Sequence, residues 1–242
     1  MDLMEPLNER SLSQNFQVSM FKQNWDEALH DQGFVLQAVL TLVVSFAIIF
    51  YMPDFFARIQ MRSGVVLNDP VLDYLKPRDV SGYLFFLLYS SILLAAAYMI
   101  FFPRNFIWGV QAYCLLTIMR GITVYFIPLD PSPELIPLTD PVITHFFYHS
   151  PGITKDLFFS GHTATIFMIA LVVHQRTLKI IFTVVTLVIG ALVMVQHIHY
   201  SYDVFAAPFF AWLSVFIVQS VGRIWHKIAG QKPGDKKTYP VL

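Results

Sequence analysis

The sequence predicts an all-α polytopic membrane protein with six transmembrane helices and a possible N-terminal helix lying at the interface. Three observations carry this. Hydrophobic residues make up 56% of the 242-residue chain and charged residues only 13%, with a mean hydropathy of +0.58, a composition outside the range of ordinary soluble domains. The apolar residues fall into runs of about the twenty residues that cross a bilayer core. Prolines, short polar turns and one long proline-rich connection separate those runs.

Residues 1–33 are polar, with a weak apolar periodicity through Phe16, Trp25 and Leu29 that fits either a membrane-surface helix or a loose tail. Acidic Asp2, Glu5 and Glu9, and the lack of a short apolar run with a small-residue cleavage site, argue against a cleaved signal peptide. The first span is expected at 34–52, stopped by Pro53. The loop at 53–79 holds Asp-Pro and Lys-Pro steps, which favour turns and extended backbone. The second span is expected at 80–102, closed by Pro103, and the third at 106–127. Only Arg104-Asn105 remains for a tight turn between them, so the two should be antiparallel neighbours.

Six prolines between 128 and 157 (Pro128, Pro131, Pro133, Pro137, Pro141 and Pro151) exclude a long regular helix there, and a connection of this length usually serves a function. The fourth span is expected at 158–174, the fifth at 178–196 and the sixth at 204–221. Gly190 fits close helix contact, and the Ala206-Ala207-Pro208 step a local kink. The domain plan is therefore a tail or interfacial helix at 1–33, a six-helix catalytic domain at 34–222 and a basic cytoplasmic tail at 223–242.

Sixteen Lys plus Arg balance sixteen Asp plus Glu, so no net charge points to nucleic acid. Cys114 is the single cysteine, and no internal disulfide is available. With the N-terminus cytoplasmic, ten Lys/Arg fall in inside segments and five (Arg58, Arg62, Lys76, Arg78 and Lys155) in outside loops, with Arg120 inside a span. The excess predicts cytoplasmic termini. It also puts the ends of the third and fifth spans, and the start of the fourth, on the periplasmic, extracellular or lumenal face.

Three side chains that are costly in a membrane then meet at that face: His162, His199 and Asp203. A carboxylate at the mouth of a span needs a partner, and His199, four residues before Asp203, shares its helical face. Asp203 would hold one ring nitrogen of His199 and leave the other to attack phosphorus, while His162 moves the proton of the leaving or incoming alcohol. Any one of these histidines alone reads as an interfacial packing residue; three groups converging point to covalent phosphoryl transfer on a lipid headgroup. Arg120 lies toward the outer end of the third span, where its guanidinium would clamp phosphate oxygens, or alternatively pair with Asp203, Asp156 or a lipid phosphate. Ser160 and Gly161 would offer donors to phosphate at a helix start. Asp156, Lys155, Tyr200 and His197 are candidates for headgroup contact or support. His197 with His199, and His145 with His149, have spacings found in zinc sites, but no His-Glu-x-x-His or paired-aspartate motif accompanies them. A covalent imidazole route needs no metal or other cofactor.

The runs Asp156-Leu-Phe-Phe-Ser-Gly-His162-Thr163 and His199-Tyr-Ser-Tyr-Asp203-Val, and more weakly Arg120-Gly-Ile-Thr-Val-Tyr with its following prolines, resemble the sphingomyelin synthase family within the type 2 phosphatidic acid phosphatase superfamily. The resemblance covers roughly residues 34–222. It implies six spans and an outward-facing, metal-free site that moves a phosphoalcohol headgroup from a glycerophospholipid donor to a ceramide or related acceptor, releasing diacylglycerol. By resemblance His199 is the nucleophile, Asp203 its orienting partner and His162 the acid/base. The wider superfamily's Lys-to-Arg-Pro motif, and the Ser-Arg pair before its last histidine, are missing here. The alternative is a lipid phosphate phosphatase or phospholipase C-type hydrolase that uses water; a non-enzymatic scramblase or structural membrane protein is a third.

Overall fold

The structure, a computed structural model, describes residues 9–138 and 153–228, with side chains described over 18–138 and 153–224. His145, His149, Pro141, Pro151 and the end of the basic tail from 229 lie outside the described residues. Eight helices are described: α1 (Glu9–Leu29), α2 (Gln32–Gln60), α3 (Pro70–Asp73), α4 (Ser81–Met99), α5 (Pro103–Phe126), α6 (Gly161–Val172), α7 (Arg176–Val195) and α8 (Ser201–Ile228). Among the described residues the only β-type pairing is an isolated parallel bridge between Val65 and Leu129.

Five of these helices (α2, α4, α5, α7 and α8) are long and apolar enough to cross a membrane, which marks the chain as an integral membrane protein. The fourth expected span is the exception. Of residues 158–174 only twelve form α6, about 18 Å of helix against the roughly 30 Å of a bilayer core. Phe158 and Phe159 are apolar for another reason: they lie in the loop before α6, where Phe159 is fully buried and stacks on Phe210 at 4.2 Å. Eight of the twelve α6 residues are buried, because α6 is ringed by α4, α5, α7 and α8. A short helix sheathed by longer ones need not match the bilayer, since the extended backbone that follows at Val173 is itself fully buried in protein.

Two prolines act differently from expectation. Pro53 does not end the first span; α2 continues to Gln60. The extra turns are held by packing on α5, with Ile59 buried and Phe55 lying beside Gly121, which offsets the hydrogen bond lost at proline. Pro103 opens α5 instead of closing α4, at the first-turn position where its missing N–H costs nothing. Arg104 and Asn105 are therefore helical, and the turn is made by residues 100–102. Pro208 likewise lies inside the continuous α8, which runs past 221 to Ile228.

The bundle has two ends. Residues 100–102 and 173–175 lie at one, joined by a contact of 2.6 Å between Asn105 Nδ2 and His174 Nε2. Helix α1 docks there through Trp25 Nε1 donating to Ile100 O (2.8 Å) and Asn24 Nδ2 donating to Phe101 O (2.9 Å). An Arg104–Asp31 ion pair of 2.8 Å adds to it, with Asp31 also capping α2. The loops at 61–80, 127–138 and 153–160 and the turn at 196–200 meet at the other end. Gln196, fully buried, ties three of them. Its Nε2 donates to Ser81 Oγ (2.8 Å) and Ile136 O (3.3 Å), while its Oε1 accepts from Val80 N (3.2 Å). Gly190 allows α7 to close on α8, since a Cβ there would stand 2.9 Å from Val204 Cγ1.

Candidate active site

The start of α6, the end of α5 and the turn between α7 and α8 converge on one spot. Ser160 caps α6: its hydroxyl lies 3.1 Å from Thr163 Oγ1 and accepts from Thr163 N at 3.5 Å, while its own amide donates to Asp203 O at 3.1 Å. These bonds pin the His162 segment to the first turn of α8. Ser160 is thereby engaged in the fold, and the donors left toward a ligand are the first-turn amides of α6, Gly161 N and His162 N, which by helix geometry have no intrahelical acceptor.

The His162 and His199 rings are neighbours, edge to face at 66° with centroids 6.1 Å apart. Behind His199, Nδ1 lies 3.4 Å from Asp203 Oδ2, a long contact, and the same oxygen accepts from Tyr200 N at 3.0 Å. His199 is 3% exposed and Asp203 0%. With Nδ1–H assigned toward the carboxylate, the lone pair of His199 sits on Nε2.

Arg120 reaches the same spot from the last turns of α5. Its Nη2 lies 2.7 Å from Asp156 Oδ2 and also donates to Asp156 O at 3.3 Å. The guanidinium packs against Gly161, where a Cβ would come within 1.8 Å of Nη1 and 2.4 Å of Cζ. Glycine is therefore what lets a cation sit at the N-terminus of α6 beside His162. Burial pushes the Asp156 carboxyl above the ordinary carboxylate range, and the Arg120 guanidinium opposes that shift. Arg120 Nε, Asp156 Oδ1, His162 Nδ1 and Asp203 Oδ1 are buried and have no hydrogen-bond partner among the described residues. Each such atom costs roughly 1–3 kcal/mol, and four around one pair of rings form a cluster prepared for a polar ligand. The ring of Phe85 meets His162 edge-on at 6.5 Å. Phe85 also lines a groove of about 440 Å³ along α4, with Ser81, Tyr89 and Leu93.

Of the remaining candidates, Tyr200 and His197 turn away from the rings. Tyr200 is buried, its hydroxyl donating to Asp130 O (2.9 Å) and accepting from Leu67 N (3.3 Å). His197 takes a left-handed backbone conformation (φ 57°) and directs Nε2 to Leu75 O at 3.0 Å, so it does not pair with His199 as a metal-ligand set. Lys155 is held by Asp130 (2.7 Å) and by Arg62 O. That ammonium, with the Gly64 amide, keeps the Asp130 carboxyl below the ordinary range. Asp69 was missed by sequence reasoning. It is 3% exposed and accepts from Ser201 N at 2.6 Å and Ser201 Oγ at 2.9 Å. Its one local signal was the Asp69-Pro70 step, which is a helix cap followed by proline in the first turn.

Two imidazoles, a carboxylate and a guanidinium are thus gathered at the mouth of an apolar helix bundle, in a chain of the integral membrane class. Residues 155–220 match the family described as PAP2 superfamily C-terminal. The matched segment carries Asp156, His162, His199 and Asp203 and leaves out Arg120 and Asp69. It supports the PAP2 superfamily and fits phosphatase or phosphotransferase activity. No curated protein matches the chain.

Proposed function

We propose that the protein is a lipid phosphotransferase that moves a phosphoalcohol headgroup from a glycerophospholipid to a ceramide-type acceptor and releases diacylglycerol. The observation that carries this reading is the 6.1 Å separation of the His162 and His199 rings, with Asp203 behind the second. The two rings thus bracket one spot, where a phosphoryl group would stand between the nucleophile and the acid/base.

His199 Nε2 attacks phosphorus, and the bond to the diacylglycerol oxygen breaks as the N–P bond forms. His162, protonated in this first step, delivers its proton to the departing oxygen. Asp203 holds Nδ1–H of His199 and offsets the positive charge that grows on its ring. Arg120 and the first-turn amides of α6 stabilise the equatorial phosphoryl oxygens, where charge accumulates during transfer. In the second step neutral His162 takes the proton of the acceptor's primary hydroxyl, the new O–P bond forms, and His199 is released. No metal or other cofactor enters these steps. Asp156 faces the headgroup side, and the lipid chains lie along the α4 groove that reaches the site at Phe85.

In the membrane the protein has six passes, α6 being the inner one, with α1 at the surface. The Lys/Arg distribution supports cytoplasmic termini and a site on the outer face. Purified protein in phosphatidylcholine or phosphatidylethanolamine vesicles with labelled headgroup, with and without ceramide, tests the proposal. Label on ceramide is expected. Free phosphoalcohol or phosphate whether or not ceramide is present favours the hydrolase, which shares the first step. No turnover of any donor overturns the enzymatic reading.

A further inference from the structure

Asp69 lies outside the region matched to the superfamily and was not among the candidates read from sequence, yet it is one of the most heavily bonded carboxylates in the structure. Its Oδ1 accepts from Val71 N (3.0 Å), Leu72 N (3.3 Å) and Ser201 Oγ (2.9 Å), and its Oδ2 from Ser201 N (2.6 Å). One side chain thus caps two helices, α3 in the outer loop and α8, whose first residue follows Tyr200. We propose that Asp69 is a positioning residue: by holding the amide and hydroxyl of Ser201, it fixes the turn that sets His199 against Asp203.

That turn has little slack. Residues 199–203 contain the nucleophile of the proposed reaction, its partner, and two backbone amides that precede regular helix bonding. Asp203 Oδ2 takes the Tyr200 amide (3.0 Å) and Asp69 Oδ2 takes the Ser201 amide, so two carboxylates clamp successive peptides. The contact that matters, His199 Nδ1 to Asp203 Oδ2, is 3.4 Å, at the outer limit of a hydrogen bond. Movement of a few tenths of an ångström at Ser201 breaks it or allows it to shorten. Asp69 is itself anchored. Leu72, capped by it, packs with Leu129, Leu157 and Tyr200 in a separate apolar cluster, so the outer loops hold the clamp in register with the His162 segment. Asp69 touches neither ring and needs no contact with substrate.

The inference rests on the proposed phosphoryl transfer for its kinetic consequence, so the test pairs kinetics with a readout independent of turnover. Full-length protein labelled with ¹⁵N-histidine is reconstituted in lipid nanodiscs, and the His199 ring signals are assigned by their loss in His199→Asn. Asp69→Asn, which keeps the size but presents an NH₂ where an acceptor stood, is expected to move the His199 ring nitrogens toward mixed tautomers. It should also lower kcat ten- to a hundredfold with KM within twofold. Ser201→Ala, which removes only the hydroxyl bond, should fall between Asp69→Asn and wild type. Asp73→Asn, an exposed charge on the same short helix, should change nothing. A wild-type His199 spectrum and kcat in Asp69→Asn, with only a lower melting temperature, overturns the proposal. If Asp69→Asn does not insert, an unchanged spectrum in Ser201→Ala overturns it equally. If the wild-type protein turns over no lipid, the enzymatic reading is lost, and the spectra still decide whether Asp69 sets the His199–Asp203 pair.

Discussion

The two ends of the bundle are built from similar residue types and treat them in opposite ways. At the end where α1 docks, Arg104 has Asp31, Trp25 and Asn24 have the carbonyls of the α4–α5 turn, and Asn105 has His174. At the site end lie all the buried side-chain atoms that lack a hydrogen-bond partner among the described residues: Arg120 Nε, Asp130 Oδ1, Asp156 Oδ1, His162 Nδ1, His197 Nδ1 and Asp203 Oδ1. Asp130 Oδ1 still has the Lys155 ammonium at 2.7 Å and His197 Nδ1 the Glu134 carboxylate at 3.9 Å; the other four are held by the fold without being satisfied by it. One end spends its polar groups on docking a helix, while the other keeps four of them around the His162 and His199 rings. Unsatisfied groups persist only where the surroundings hold them or a ligand completes them, and the contrast is what supports the proposed site.

Mutating the two ends should therefore separate activity from stability. The largest effect is expected at the rings. His199→Ala should lower turnover by at least about 10⁴-fold, as expected for loss of a nucleophile, and His162→Ala by roughly 10²–10⁴-fold, the usual contribution of general acid–base catalysis. Melting temperature and elution volume should stay close to wild type in both. Substantial activity in either variant would remove that residue from the mechanism and weaken the contrast.

Gly161→Ala is the sharper test, because it adds one methyl and removes no functional group. The new Cβ cannot coexist with the guanidinium 1.8 Å away, and the movable partner is the far end of Arg120. Arg120 swings off the helix start, and kcat should fall about 10²-fold, the scale for loss of one oxyanion donor. The helix itself gains slightly from alanine, so the melting temperature should not fall in proportion. If the loss runs through Arg120, the double variant Gly161→Ala/Arg120→Ala should be no worse than Arg120→Ala alone. Additive losses would show that Gly161 acts by another route. Arg120→Lys should cost less than Arg120→Ala, roughly tenfold, because charge remains while the two-pronged geometry is lost.

The same contrast explains what could be read from sequence. His162, His199, Asp203 and Arg120 stood out because polar side chains in apolar surroundings need a reason, and the structure gathers all four. Five long apolar helices were legible from run length. The fourth span was overextended because run length cannot distinguish apolar residues facing lipid from Phe158 and Phe159, which are packed in a loop. Pro53 and Pro103 were read as stops by local chemistry alone, whereas packing of Ile59 decides the first and first-turn placement the second. Asp69 was invisible because its partner is 132 residues away; an Asp-Pro step specifies a cap and does not name the second helix it holds. Ser160 had the right position and another use, since its hydroxyl is taken by capping α6.

The smallest effect belongs to the docking end. The Arg104–Asp31 pair is partly solvent-exposed, at 31% and 22% of the two side chains, so it is worth at most about 1 kcal/mol. Burial raises the Asp31 pKa, but the Arg104 guanidinium and the Phe34 and Gly33 amides together outweigh it, and the folded-state value lies below the ordinary one. A depressed carboxyl pKa means that the unfolded state binds the proton more readily. The pair's contribution is therefore complete above the unfolded value of about 3.9 and is lost as pH falls through the folded-state value. Arg104→Ala should lower the melting temperature by a few degrees at pH 7, with kcat within twofold. The gap from wild type should narrow when the melts are repeated at the acid end, below about pH 4. A kcat loss comparable to that of Gly161→Ala would mean that the docked α1 end is coupled to the histidines, and the separation of the two ends into scaffold and site would no longer hold.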